Sequence, residues 1–394
     1  MCTSHSQRRL PQRNDGVQGQ PGGARDDLDR SLSANAISGR WPGFFVKLAD
    51  RINAAWYRPH LTLGTALLLP ASFAYAGMTG LRRLLYRMEL LRSTKLSLPV
   101  VVVGNIVVGG TGKTPLVIAL ADALYARGWR PGVVSRGHGG SLTRSTAGTL
   151  VVTTYADPRL VGDEPLVMAR AGIAVAVGRD RVAAARSLCT AHPDINVIIA
   201  DDGLQHYALA RDFEIAVFDA QRGLGNGRRL PAGPLRESAA RLHTVNCVVI
   251  THGARDGAGG PSAMFIPAAV RVFVQTLEPG LFRSVNARDV SAAATRFVGR
   301  RVHALAGIGH PDRFFATLAT LRIDAVTHAF PDHHPFTAAD LAFPDAEAIL
   351  MTEKDAVKCS SFADARCWYL PVRARVDSAL IALVENTIRG SQAA

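Results

Sequence analysis

The chain has 394 residues, 48% hydrophobic and 20% charged, which suits a large folded core and excludes a disordered chain. Its formal charge of +13 favours anionic partners, whether nucleic acid, an acidic membrane surface or a phosphorylated substrate. Five scattered cysteines (Cys2, Cys189, Cys247, Cys359, Cys367) include no CxxC pair, which excludes a disulfide framework or a cysteine zinc site and suits a reducing compartment.

Residues 1–43 are rich in Gly, Gln, Ser, Asp and Arg without apolar period, and read as a disordered tail or as sequence ahead of the true start codon. No apolar stretch with a small-residue cleavage site marks a secretory signal there. Order begins near Phe44. From Leu61 to Leu81 no residue is charged, and Arg82, Arg83, Arg87, Arg92 and Lys95 follow at once. Three readings stay open: a spanning helix, a helix lying in the membrane interface, and a soluble helical hairpin broken at Pro70. Two of them touch a bilayer, so residues 44–95 are read as a membrane-associated helical segment.

Pro99–Val103 is a continuous β-branched run of the kind that forms a fully buried parallel strand. Similar runs recur at Gly132–Ser135, Ile173–Val177, Val197–Ala200, Glu214–Phe218 and Cys247–Ile250, with helical patterns at Pro115–Arg127 and Arg181–Ala191. This alternation predicts an α/β fold: a P-loop NTPase-like parallel sheet over residues 96–295. Val302–Ala306, a helix around Pro311–Thr320, a strand at Ala348–Met351 and a helix from Ser378 to about Ile388 suggest a smaller C-terminal α/β domain over 296–394.

After the first strand, Gly109, Gly110, Thr111 and Gly112 lead into Lys113 and Thr114 at the start of a helix. Glycines let backbone N–H groups curl around phosphate oxygens, Lys113 reaches the β- and γ-phosphates, and the Thr114 hydroxyl can hold Mg²⁺. The usual pattern places glycine where this chain has Val107. Ile195–Ala200 followed by Asp201 and Asp202 has the form of a Walker B strand ending at a metal. Successive strand residues face opposite ways, so one of the two carboxylates is expected to touch the metal shell directly. Asp163, in GDEP, reads as an N-cap and as the base that takes a proton from an attacking hydroxyl, two compatible roles. Arg136 and Arg236 lie in Gly- and Pro-punctuated loops, as surface residues or as phosphate clamps. Asp332-His333-His334 has no third ligand spaced nearby, which suits a solvated turn better than a metal site.

Together these motifs resemble the tetraacyldisaccharide 4′-kinase family, from about Trp56 to the C-terminus. The specific stretches are GNIVVGGTGKTP (104–115), DDGLQHYALA (201–210), GNGRRLPAGPLRE (225–237), GIGHPDRFF (307–315), FPDH (330–333) and TEKDAVKC (352–359). The resemblance implies transfer of the ATP γ-phosphate to the 4′-hydroxyl of a tetraacylated glucosamine disaccharide 1-phosphate, at the cytoplasmic face of the bacterial inner membrane. It implies that Lys113 and Thr114 are the phosphate and Mg²⁺ residues, Asp163 the base and His333 its partner. It likewise implies that Asp201 and Asp202 are the metal pair, Gln205 and His206 site residues beside them, and Arg136 and Arg236 the arginines of the phosphate site. His138, Ser238 and Arg229 depart from the family pattern, none at a residue given a catalytic role.

Two other classes compete. Ile349–Asp355 loosely matches the strand and [NT]KxD element with which GTPases read guanine, its lysine displaced by one place. A nucleic-acid-binding ATPase is disfavoured, because no RNP-like or helix-turn-helix signature accompanies the basic residues and no nucleic acid partner is expected.

Overall fold

Four successive valines, Val100–Val103, cannot show one face to water without exposing the other two side chains. They form the centre of a parallel sheet in the computed structural model, which describes residues 51–58, 60–143, 148–253 and 266–392. The tail expected over 1–43 lies outside the described residues. In chain order the strands of this sheet are β1 (Val100–Gly104), β2 (Pro131–Ser135), β3 (Thr149–Val152), β4 (Ala174–Gly178), β5 (Val197–Asp201), β6 (Phe213–Asp219), β7 (Cys247–His252), β8 (Arg271–Pro279) and β15 (Val372–Val376). They lie in the order β15-β8-β7-β6-β1-β5-β2-β4-β3, parallel throughout except for the antiparallel edges β3 and β15. All six runs expected from the sequence are strands here, with ends shifted by a residue or two.

The chain leaves β1 toward β2 on one side and later crosses to β6 on the other. β1 therefore sits between β5 and β6, and the strand order reverses there. A crevice opens beyond the carboxyl ends of strands at such a switch point, which is where α/β sheets bind ligands. The helix Lys113–Ala126 packs Leu116, Val117, Leu120 and Leu124 into one face of the sheet, each fully buried. Each such side chain contributes roughly 1.5–3 kcal/mol. The helix Arg181–Ala191 covers the other face through Val182, Ala184, Ala185 and Leu188.

A second sheet holds β9 (Phe282–Ser284), β10 (Ser291–Ala292), β11 (Val302–Ala306), β12 (Ala325–Ala329), β13 (Ala348–Thr352) and β14 (Cys367–Leu370), ordered β10-β9-β14-β13-β11-β12. Its strands come from both sides of residue 296, where the sequence suggested a division. β9 and β10 join it earlier in the chain, while β15 and the helix Ser378–Gln392 return to the first sheet. The reason is the apolar stripe Leu380, Ile381, Val384 and Ile388, which needs a partner and finds it against the helix that follows the P-loop. Arg127 and Trp129 close this contact on Glu385 (2.9 and 3.4 Å). Residues from Ile52 onward pack as one compact unit.

Pro70 begins a helix instead of breaking one. A short turn, Leu63–Leu67, ends at Leu68, and Pro70 occupies the first turn of the helix Leu69–Arg87, where its missing N–H is harmless. Ser72 Oγ donates to Arg229 O (2.7 Å), and Arg229 donates back to Ala76 O (3.0 Å), so the departing residue Arg229 pins this helix. Leu63, Leu67, Phe73, Met78, Leu81 and Leu84 remain exposed, Leu63, Leu67 and Phe73 by more than 70%. Among the described residues no helix is long and apolar enough to cross a membrane.

Candidate active site

The P-loop leaves β1 at Gly104 and wraps to Gly112, the N-cap of the following helix. Gly109 (φ +107°) and Gly112 (φ +82°) take the left-handed backbone that turns the loop. Val107 stands where glycine is usual because the backbone there is used elsewhere. It bridges Leu235, Val108 N–H donates to Pro234 O (2.8 Å), and the Val107 side chain is buried. Asn105, fully buried, steadies the same loop by donating to Gly109 O and Thr111 Oγ1 (3.3 Å each). Thr114 is buried in the first turn of the helix.

The two aspartates at the end of β5 have different tasks. Asp202, held at φ +48°, accepts from Arg236 NH1 (2.8 Å) and pairs with Lys113 Nζ (3.5 Å). Burial raises its pKa, but Lys113 and Arg236 outweigh that and hold the carboxyl far below its ordinary range. Asp201 is 1% exposed; its Oδ2 accepts from Ser135 Oγ (3.0 Å), and its Oδ1 has no hydrogen-bond partner among the described residues. Burial, then the charges of Glu164 and Asp202, push its pKa up to about 7. A buried carboxylate oxygen left open beside a threonine-tipped P-loop suits a magnesium ion, which takes few protein ligands and completes its shell from phosphate and water. Among the described residues no cluster of three or more His, Cys, Asp or Glu could hold a metal unaided.

Asp163 is the first residue of the helix Asp163–Arg170, with Gly162 as the cap, so the N-cap role falls to its neighbour. Its Oδ1 accepts the Glu164 N–H (2.9 Å) and its Oδ2 accepts from His333 Nδ1 (3.2 Å). Burial alone would raise the Asp163 pKa; the His333 hydrogen bond and the Lys354 charge outweigh it and lower it. The same hydrogen bond raises His333 against the opposing effect of its own burial. His333 comes from the loop after β12, at φ +58°, and its N–H reaches Gly307 O (3.2 Å). The two sheets thus each supply one member of this pair.

A cavity of about 360 Å³ opens at the two aspartates; Lys113, Thr114, Asp163 and His333 are not among the residues that line it. Asp201, Asp202, Gln205, Glu164, Ser135, Arg136, Arg236 and His138 line it, together with Tyr75, Thr79 and Arg82 of the exposed helix. Tyr207 and Glu237 complete it, hydrogen-bonded to each other. His206 does not line it: its backbone carbonyl accepts from Arg211, and burial, with Arg181 and Arg211 nearby, lowers its pKa to about 4.

Several site residues carry no signal that the sequence reading used. Glu164 pairs with Lys354, whose pKa rises because the Glu164 and Asp163 charges outweigh burial. Asp355, the residue that would read guanine, is 0% exposed; it accepts Gly307 N–H (3.1 Å) and Thr352 Oγ1 (2.6 Å) and pairs with Lys358 (2.8 Å). A carboxylate so enclosed has no face for a base, which removes the GTPase reading.

The family model for tetraacyldisaccharide-1-P 4′-kinase matches residues 64–389. The tetraacyldisaccharide 4′-kinase of Dechloromonas aromatica (strain RCB) is 49% identical over 330 residues, covering 83% of this chain and 94% of that protein. That of Alkalilimnicola ehrlichii is 50% identical over 331 residues, covering 84% and 94%. The crystal structure of LpxK from Aquifex aeolicus in complex with ATP superposes with a TM-score of 0.68 at 28% identity, covering 83% of this chain and all of that one. On the match over 64–389 and on relatives of this identity, the chain belongs to the tetraacyldisaccharide-1-P 4′-kinase family.

Proposed function

We propose that this chain transfers the γ-phosphate of ATP to the 4′-hydroxyl of a tetraacylated glucosamine disaccharide 1-phosphate, a step of lipid A biosynthesis. The observation that carries this reading is a cavity lined both by Asp201 and Asp202, the second of them paired with Lys113 of the P-loop, and by Tyr75, Thr79 and Arg82 of the exposed apolar helix. P-loop N–H groups and Lys113 hold the β- and γ-phosphates, and Arg136 and Arg236 clamp phosphate from the open side. Asp163, ionised at neutral pH, accepts the proton of the attacking hydroxyl, and His333 orients it. Thr114 and Asp201 would hold Mg²⁺, with Asp202 bound to Lys113 and Arg236 beside them. The chemistry Mg²⁺ supplies when bound is neutralisation of charge on the phosphate oxygens. Incubation with [γ-³²P]ATP and tetraacyl disaccharide 1-phosphate in detergent micelles is expected to label the lipid. Hydrolysis of ATP without lipid labelling would refute the reading.

The same proposal places the enzyme at the cytoplasmic face of the bacterial inner membrane, held by the helix Leu69–Arg87 and the turn before it. Exposed Leu63, Leu67, Phe73 and Met78 supply apolar area for the headgroup boundary. Arg82, Arg83 and Arg87 lie at the end of the same helix, where an anionic leaflet attracts them. Replacing Leu67, Phe73 and Met78 together by serine is expected to shift the protein from membrane to soluble fractions. The same variant is expected to raise KM for the lipid at least about tenfold more than KM for ATP, since burial of each side chain is worth about 1.5–3 kcal/mol. Equal rises in both constants would show that these side chains serve the fold instead.

A further inference from the structure

The P-loop is held from behind by two buried side chains that no motif includes. Thr251, near the end of β7, and Gln275, its register partner on β8, are both 0% exposed. Thr251 Oγ1 donates to Thr111 O (2.7 Å). Gln275 Nε2 donates to Gly112 O (3.1 Å) and to Thr251 Oγ1 (2.6 Å). The amide's sense follows from the two acceptors that face its nitrogen, while Oε1 has no hydrogen-bond partner among the described residues. Turned over, it would set an acceptor against the Gly112 carbonyl and leave its donors without these partners.

A trans peptide points its C=O and the following N–H in opposite directions. With the carbonyls of Thr111 and Gly112 tied back to β7 and β8, the N–H groups of Gly112 and Lys113 face the other way, into the concave side of the loop. Those are N–H groups a phosphate needs. Gly112 O also accepts Leu116 N–H (3.3 Å), the first bond of the helix, so Gln275 adds to an existing hold on that plane. The Thr111–Gly112 plane, flanked by glycines that rotate at little cost, is held by Thr251. The approach is close enough to dictate the residue between the anchors. A Cβ on Gly112 would lie 2.7 Å from Thr251 Cγ2 and 3.0 Å from Gln275 Nε2.

We propose that Thr251 and Gln275 are positioning residues for the nucleotide, orienting the Gly112 and Lys113 amides toward its phosphates through the two carbonyls. The proposal rests on the reading that a nucleoside triphosphate occupies this loop. Neither side chain touches substrate; both act through the backbone.

The test uses the full chain carrying Thr251→Val, Thr251→Ser, Gln275→Met or Lys113→Ala, with ADP binding by calorimetry and steady-state KM for ATP and for the lipid acceptor. Thr251→Val keeps shape and loses the donor, and Gln275→Met does the same while Thr251 still holds Thr111. Each is expected to weaken ADP binding and raise KM for ATP about 10- to 100-fold, the size of a hydrogen bond to a charged group. KM for the acceptor is expected to stay within about twofold, well inside what one hydrogen bond is worth. Thr251→Ser, which keeps the hydroxyl, is expected to restore ADP binding. ADP affinity in Thr251→Val and Gln275→Met equal to wild type overturns the positioning role. So does a parallel rise in both KM values, or failure of serine to rescue, since either means the pair serves packing alone. Absence of ADP binding by the wild-type chain, with Lys113→Ala indistinguishable from it, overturns the nucleotide reading and this proposal with it.

Discussion

Lys113→Ala is expected to lower the rate of phosphoryl transfer by about 10³- to 10⁵-fold, the range that removal of a cation from a transferring phosphoryl group produces. Lys113 Nζ lies 3.5 Å from Asp202 Oδ1, so its charge is held inside the site before any phosphate arrives. Its removal does not strand Asp202, because Arg236 remains on the other oxygen at 2.8 Å. The variant is therefore expected to melt near the wild-type temperature, and single-turnover transfer from ATP to the lipid isolates the chemical defect. A rate within tenfold of wild type would remove Lys113 from the chemistry.

Asp163→Asn is expected to reduce the same rate by about 10²- to 10⁴-fold, the usual worth of a general base. His333→Ala is expected to cost much less in that background than in the wild type, since groups acting as one unit are not additive. Independent, multiplicative losses would mean that the 3.2 Å contact plays no part in proton removal. The pair also has a signature apart from rate. His333 owes its raised pKa first to the hydrogen bond with Asp163, so its ring resonances are expected to titrate at lower pH in Asp163→Asn. The sign for stability follows from the two shifts. Asp163, lowered, contributes above the ordinary carboxylate value and loses this as pH falls through its folded pKa. His333, raised, contributes below the ordinary imidazole value and loses this as pH rises through its folded pKa. The full contribution spans about pH 4 to 6.5.

What was legible in the sequence follows from how each element is buried. β1, β2, β4, β5, β6 and β7 are covered on both faces, so each is an unbroken apolar run visible locally. β8 and β12 expose much of their length, and their residues (RVFVQTLEP and AVTHA) mix polar and apolar without a run. β15 reads as VRARV, and only its pairing with β8 makes it a strand. In the site, the P-loop and the aspartates after β5 were legible because a strand, a tight loop and a helix must follow one another there. Thr251, Gln275, Asn105 and Lys354 were not, because each works through a distant carbonyl or ion pair. Asp355 misled for a related reason. TEKD looks like a base-reading element, yet its carboxylate secures Gly307, the residue that in turn accepts the His333 N–H.

The return of β15 and the helix Ser378–Gln392 to the first sheet gives synthesis order a role in when this enzyme becomes competent. A ribosome delivers the P-loop some 260 residues before the helix that covers it, as the numbers of Lys113 and Ser378 show. Until then, the helix Lys113–Ala126 lacks part of its apolar cover, and β8 is an open edge able to pair with a neighbouring chain. The nascent protein thus holds a nucleotide loop without its finished support while its apolar N-terminal helix is already available to a bilayer. The membrane anchoring proposed above would, if it came this early, keep unfinished chains apart, where exposed edges otherwise invite aggregation.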